Sequence, residues 1–178
     1  MPFCYGGGVT SVEHAKKIIK LGAEKVALSA AAIANPELVT KISEEIGAQS
    51  VVVVLDVKKK GLFGKYEVFT HNGTKATGKS PFELAEDFER RGVGEIVLNN
   101  IDTEGTMKGF DFKLIDGVRE IISKPMTVLG GAGDAEDIKK VIDKYKIIGV
   151  AAGSLFVFKG KYRAVLINYT PYNSLFNL

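Results

Sequence analysis

Asp56 closes an uninterrupted apolar run, Val51-Val52-Val53-Val54-Leu55-Asp56. A carboxyl at the end of such a run is partly withdrawn from water, which raises its pKa and suits general acid/base work. The same position also suits an Asp that bonds loop amides or pairs with Lys58; the residues alone leave both readings open. Glycine-rich turns are the second chemical signal: Gly6-Gly7-Gly8, Gly130-Gly131 and Gly153-Ser154. Bare backbone N–H groups at such turns can approach anionic oxygens closely, phosphate above all. Tight turns that merely need glycine are the alternative. Gly131 and Gly153-Ser154 end two successive strands ahead of a short helix, where parallel barrels bind phosphate. Gly7 and Gly8 offer a second phosphate site, and Ser29-Ala30 ends another strand at the same face. Two such sites suit a long substrate with a phosphate at each end. Asn99, Asp102 and Glu104 fall in the polar loop 99–106, where loop shaping or contact with the substrate mouth is expected.

Other reactive side chains carry less. His14 lies on a helix and His71 in a turn, and solvent exposure explains both. Cys4 faces a barrel layer as a packing residue. No His, Cys and carboxylate cluster has metal-ligand spacing. There is no P-loop and no Gly-x-Ser-x-Gly elbow. Neither a metal nor a cofactor is therefore expected. Lys58-Lys59-Lys60 reads as a solvated loop that could attract an anionic substrate.

The elements that must position these residues alternate between strand and helix. Strands are predicted over 2–5, 25–29, 51–56, 95–99, 126–129 and 148–152. Helices are predicted from the Ser11 cap to Leu21, from the Asn35-Pro36 cap to Ile46, and from Ser80-Pro81-Phe82-Glu83 to Arg91. Two more run over 111–122 and from Asp134 to Lys144, and Gly153-Ser154 opens a short last one. A hairpin with its turn at His71-Asn72-Gly73 joins Tyr66–Thr70 to Thr77. This order implies a parallel sheet covered by helices.

An internal repeat sharpens the expectation. Pro2, Gly7, Gly8, Glu13, Lys16 and Lys17 recur at constant spacing as Pro125, Gly130, Gly131, Glu136, Lys139 and Lys140. The separation spans four βα units at ~30 residues each. A four-unit repeat suggests a (β/α)8 TIM barrel built from two half-barrels, of which six strands are present.

Composition bounds the rest. The chain has 178 residues, 46% hydrophobic and 25% charged, which excludes a disordered or collagen-like chain and favours one domain over 1–178. A net charge of +3 gives no reason to expect nucleic acid or a membrane surface. A single cysteine forms no internal disulfide, no apolar run spans a bilayer, and the start lacks a leader. A cytoplasmic location is expected.

Taken together, Gly6-Gly7-Gly8, Gly22-Ala23-Glu24-Lys25-Val26, Asn35-Pro36, Val53-Val54-Leu55-Asp56 and Arg91-Gly92-Val93-Gly94-Glu95-Ile96 are recognisable. So are Ile101-Asp102-Thr103-Glu104-Gly105-Thr106, Gly130-Gly131-Ala132-Gly133 and Ala151-Ala152-Gly153-Ser154. Over essentially the whole chain the sequence resembles HisF, the cyclase subunit of imidazole glycerol phosphate synthase. The resemblance implies a ribulose-phosphate-binding (β/α)8 barrel and a HisH-type glutaminase partner whose ammonia travels through the barrel core. It implies attack of that ammonia on a bis-phosphorylated ribulosyl substrate (PRFAR), giving imidazole glycerol phosphate and an aminoimidazole carboxamide ribotide (AICAR). By position, Asp56 matches one of two catalytic aspartates. Gly8, Gly105, Gly131, Gly153 and Ser154 match phosphate-binding positions. Lys25 and Glu95 match charged residues that gate ammonia at the barrel bottom, and Glu24 lies where the family contacts its glutaminase.

Three departures qualify the match. The chain begins at what resembles the third strand, so the first two βα units, with the other catalytic aspartate, are missing. The expectation is that Met1 is internal to a longer protein and that the chain as given does not cyclise. Ser29-Ala30 replaces Asn-Thr at a phosphate site, and Asn99-Asn100 replaces Thr-Ser. Finally, the ending 153–169 is similar to that of HisF paralogues of the WbuZ type, associated with sugar amidation in surface-polysaccharide synthesis. That alternative is an ammonia-conducting subunit that does not cyclise. A sugar-phosphate isomerase of the sibling half-barrel family is a third possibility, disfavoured by Lys25 and Glu95.

Overall fold

The computed structural model describes residues 2–61, 64–160 and 162–167. Six strands lie parallel in the order β1 (Cys4–Gly6), β2 (Lys25–Leu28), β3 (Val51–Lys60), β6 (Glu95–Asn100), β7 (Met126–Leu129) and β8 (Gly149–Val150). Helices α1 (Val12–Lys20), α3 (Glu37–Ile46), α4 (Pro81–Arg90), α5 (Phe112–Arg119) and α6 (Ala135–Tyr145) alternate with them. The sheet curls into an incomplete (β/α)8 TIM barrel.

Alternation along each strand separates two environments. Val51, Val53, Leu55, Ile96, Leu98, Met126 and Val128 point outward and are buried with Ile42, Phe88, Leu114 and Val118 of the helices. At roughly 1.5–3 kcal/mol for each fully buried side chain, this outer layer holds the sheet to its helices. Lys25, Ala27, Val52, Val54, Asp56, Glu95 and Val97 line cavities on the other, concave face.

Local chemistry explains most element ends. Ser11 Oγ accepts from His14 N at 3.1 Å, Ser80 Oγ from Phe82 N at 3.2 Å, and an Asp134 carboxyl oxygen from Asp137 N at 2.9 Å. Each satisfies an N-terminal N–H that the helix cannot.

Four segments differ from the sequence expectation. First, β3 runs on to Lys60 and pairs antiparallel with β4 (Lys65–Thr70), which pairs with β5 (Lys75–Ala76). Lys58-Lys59-Lys60 is therefore a strand, not a solvated loop. Lys58 Nζ donates to the Gly73 carbonyl at 3.0 Å, Lys59 pairs with Asp111 at 2.7 Å, and Lys60 pairs with Glu67 at 3.1 Å. Second, an alanine-rich helix, α2 (Ala30–Ala34), precedes α3. Third, Pro36 occupies the cap position of α3, and Asn35 contributes its backbone carbonyl to Leu38 N rather than its side chain. Fourth, β8 is only two residues long, and α7 (Ser154–Val157) leads into a small hairpin of β9 (Phe158–Lys159) and β10 (Ala164–Val165). The end of the 153–169 motif, Asn168-Tyr169, lies outside the described residues.

Candidate active site

The C-terminal strand ends form two cavities at one mouth of the barrel. One, of about 400 Å³, is lined by Gly6, Gly7, Gly8, Ser29, Val54 and Asp56, among others. The other, of about 420 Å³, is lined by Glu104, Gly105, Gly130, Gly131, Gly153 and Ser154, among others. Apart from Asn99 and Asp102, which line neither, the mouth residues predicted from the sequence thus fall into two groups, each with its own glycines.

Asp56 projects into the first cavity, because residues 52, 54 and 56 share the concave face of β3. Burial pushes its carboxyl above the ordinary value, and a hydrogen bond from Asn99 opposes the rise. Asn99 Nδ2 donates to Asp56 Oδ1 at 2.8 Å across the parallel register that pairs the two residues.

The glycines are not equivalent. A Cβ on Gly131 would meet the Gly109 carbonyl oxygen at 2.1 Å, and one on Gly130 the Asn100 carbonyl oxygen at 2.3 Å. Close backbone packing already accounts for these two. Gly7, Gly8 and Gly153 have nothing within 4 Å of a built Cβ, so their bare backbone faces open space. Gly105 stands 3.5 Å from Ser154 Oγ by the same measure, bringing the loop after β6 against the start of α7. The internal repeat is also conformational: Gly7 and Gly130 have φ of +102° and +97°, and Gly8 and Gly131 have +71° and +121°.

Asp102 lines neither cavity. Its Oδ2 accepts from Lys59 N at 2.8 Å, so it ties the loop after β6 to the extension of β3. Of the two sequence readings, loop shaping describes its contacts. Three polar residues not expected at the site, Thr10, His71 and Asn72, also line the Asp56 cavity. His71 is exposed and in a turn as expected, but the β3–β4 ladder, which pairs Asp56 with Phe69, returns that turn to the mouth. The signal lay in pairing the second half of β3 with Lys65–Thr70.

At the opposite end, Lys25 Nζ lies 2.5 Å from Glu95 Oε2, and Glu95 Oε1 accepts from Thr127 Oγ1 at 2.6 Å. Both residues line a third cavity, of about 250 Å³, with Pro2, Phe3, Cys4, Glu24, Val52 and Val97. Cys4 is exposed there rather than packed. No group of three or more His, Cys, Asp or Glu among the described residues could hold a metal ion, and no described helix is long and apolar enough to cross a membrane.

An incomplete parallel barrel with an inward acid, paired glycine-lined cavities at one mouth and an ion pair at the other end places the chain among the (β/α)-barrel proteins. Residues 1–163 match the family model described as histidine biosynthesis protein. The chain belongs to that family, and within it is HisF-like. It is 51% identical over 169 residues to a Vibrio vulnificus protein provisionally named imidazole glycerol phosphate synthase subunit hisF3, covering 95% of this chain and 65% of that one. It is 50% identical to a Leptospira interrogans protein provisionally named as subunit HisF, over 95% and 66% of the two chains. It is 42% identical to the imidazole glycerol phosphate synthase subunit HisF of Thermococcus onnurineus, over 91% and 63%. The chain spans about two thirds of the length of the curated relatives it matches.

Proposed function

We propose that this chain carries part of a HisF-type cyclase, which takes ammonia from a HisH-type glutaminase and closes an imidazole ring on a bis-phosphorylated ribulosyl substrate. The observation that carries this reading is the inward Asp56 carboxyl, where the parallel pairing of β3 gives way to the hairpin, beside open glycine backbone. In this reading Gly7, Gly8 and Ser29 hold one phosphate, and Gly105, Gly131, Gly153 and Ser154 hold the other. Backbone N–H groups suit that task because they approach an anion closely and need no reorganisation. Glu104 and Asn99 border the substrate mouth. Asp56 transfers protons during ring closure, its raised pKa bringing it nearer to working pH. Ammonia enters past Lys25 and Glu95 and moves along the concave face by Val52, Val97 and Val54 towards Asp56. Glu24, beside Lys25, faces the glutaminase. Phosphate groups and free ammonia require no cofactor in this scheme.

A second reading starts from the ending 153–169, and the provisional names of the 50–51% matches leave the exact function open. In that reading the same passage delivers ammonia for sugar amidation and no ring closes here. Imidazole formation by the full-length protein, supplied with ammonium salt and the bis-phosphate, separates the two. Turnover supports the cyclase. No turnover alongside intact stimulation of the glutaminase supports the conduit.

A further inference from the structure

Asn99 ends the concave row of β6, in register with Asp56 and only 7% exposed. Its Nδ2 donates to Asp56 Oδ1. Its Oδ1 is, among the described residues, the one buried side-chain polar atom without a hydrogen-bond partner. A carbonyl left unpaired in the interior is costly, and folded proteins usually avoid one. Turning the amide over does not relieve this. Oδ1 would then face an ionised carboxylate, acceptor against acceptor, and the NH2 group would be left without an acceptor. The observed orientation is the one an ionised Asp56 selects, because a charge-assisted hydrogen bond outweighs a neutral one. Asp56 Oδ2 has no hydrogen-bond partner among the described residues and is not sealed from solvent.

We propose that Asn99 is a positioning residue that clamps one oxygen of Asp56 and leaves the other, Oδ2, as the oxygen that exchanges protons with the substrate. This rests on the proposed role of Asp56 as acid/base. Because Oδ1 already accepts from the amide, a proton taken up from substrate lands on Oδ2. The same clamp fixes the carboxyl plane, so the acid meets its substrate in one orientation.

The surroundings leave the task to Asn99. β1 and β2 bring only Gly6, Ala27 and Leu28 to this cavity, with no charge. The hairpin turn brings His71, whose Nδ1 lies 3.0 Å from Thr70 Oγ1. Lys58, two residues along the same strand, is engaged with the Gly73 carbonyl. Asp102 is held by Lys59 N, and Lys25 and Glu95 are at the far end of their strands.

The test uses the full-length protein with 13C-labelled aspartate, following the Asp56 carboxyl by NMR titration alongside the pH–rate profile. Asn99→Leu removes the donor, so the Asp56 midpoint moves up and the acidic limb of kcat/KM moves with it. kcat falls on the order of tenfold to a hundredfold, with little change in KM. Asn99→Ala, smaller and likewise without a donor, moves the midpoint in the same direction; it decides the matter if the leucine variant does not fold. A folded variant of either kind that titrates Asp56 at the wild-type position overturns the proposal. Turnover surviving in Asp56→Asn would instead remove the acid/base role itself, while the titration would still decide the clamp.

Discussion

Lys25 and Glu95 meet across the barrel's concave face at 2.5 Å, although they begin strands separated by β3. Glu95 is the more buried partner, with 15% of its side chain exposed against 39% for Lys25. A second bond, from Thr127, fixes its other oxygen. The pair therefore stands at the end of the barrel opposite Asp56, on the wall of a cavity. If ammonia passes here, Glu95→Gln and Lys25→Met lower glutamine-driven turnover about tenfold, equivalent to about 1.4 kcal/mol. Turnover on added ammonium salt stays near wild type, because that ammonia can reach the open mouth directly. Parallel rates with the two nitrogen sources provide the check. Equal losses with both would argue that the pair only supports the fold.

Gly131 and Gly153 differ in how much room surrounds them. Gly131→Ala places a Cβ 2.1 Å from a backbone oxygen at φ +121°, so it destabilises the fold by more than ~2 kcal/mol. Gly153→Ala enters open space at φ −110° and leaves stability within ~0.5 kcal/mol. It nonetheless puts a methyl group into the cavity and weakens binding of the bis-phosphate. Urea denaturation and titration calorimetry on the two variants read these effects separately.

Asp111 ties the hairpin to α5. It accepts from Tyr66 Oη at 2.9 and 3.0 Å and from Leu114 N at 3.2 Å, and it pairs with Lys59. Burial alone would raise its carboxyl, but the bonds from Lys59, Tyr66 and Leu114 N outweigh that and hold it below the ordinary value. A lowered folded pKa stabilises above the unfolded value of about 3.9, and that stability is lost as pH falls through the folded value. Asp111→Ala costs about 1–3 kcal/mol at pH 7. Its penalty shrinks at pH 3 and below, as urea midpoints at the two pH values will record. A penalty independent of pH would deny the carboxylate this role.

How much of this was legible in the residues follows from distance along the chain. Ser11, Ser80 and Asp134 announce their helices because a cap acts within three residues. The apolar run 51–55 announces a strand covered on both faces, since few other elements are so uniformly apolar. Lys58–Lys60 did not, because lysine has no strand preference of its own and the pairing partner is supplied by a hairpin. Helix α2 over the alanines 30–34 carries no cap signal in sequence, and Pro36 rather than Asn35 takes the cap position of α3. At the site, the inward side of Asp56 follows from period-two alternation. Its bond to Asn99 joins residues 43 apart in sequence and depends on strand register, which no local pattern encodes. His71 reads from sequence as an exposed turn residue, because only that same register returns its turn to the mouth.

The most direct measurement is imidazole formation by full-length wild type and Asp56→Asn, at saturating ammonium and with the bis-phosphate titrated. The account predicts a loss of roughly 10²–10⁴-fold in kcat with substrate affinity largely kept, because the amide preserves the shape of the site but cannot exchange the proton. Turnover by Asp56→Asn at the wild-type rate would contradict it.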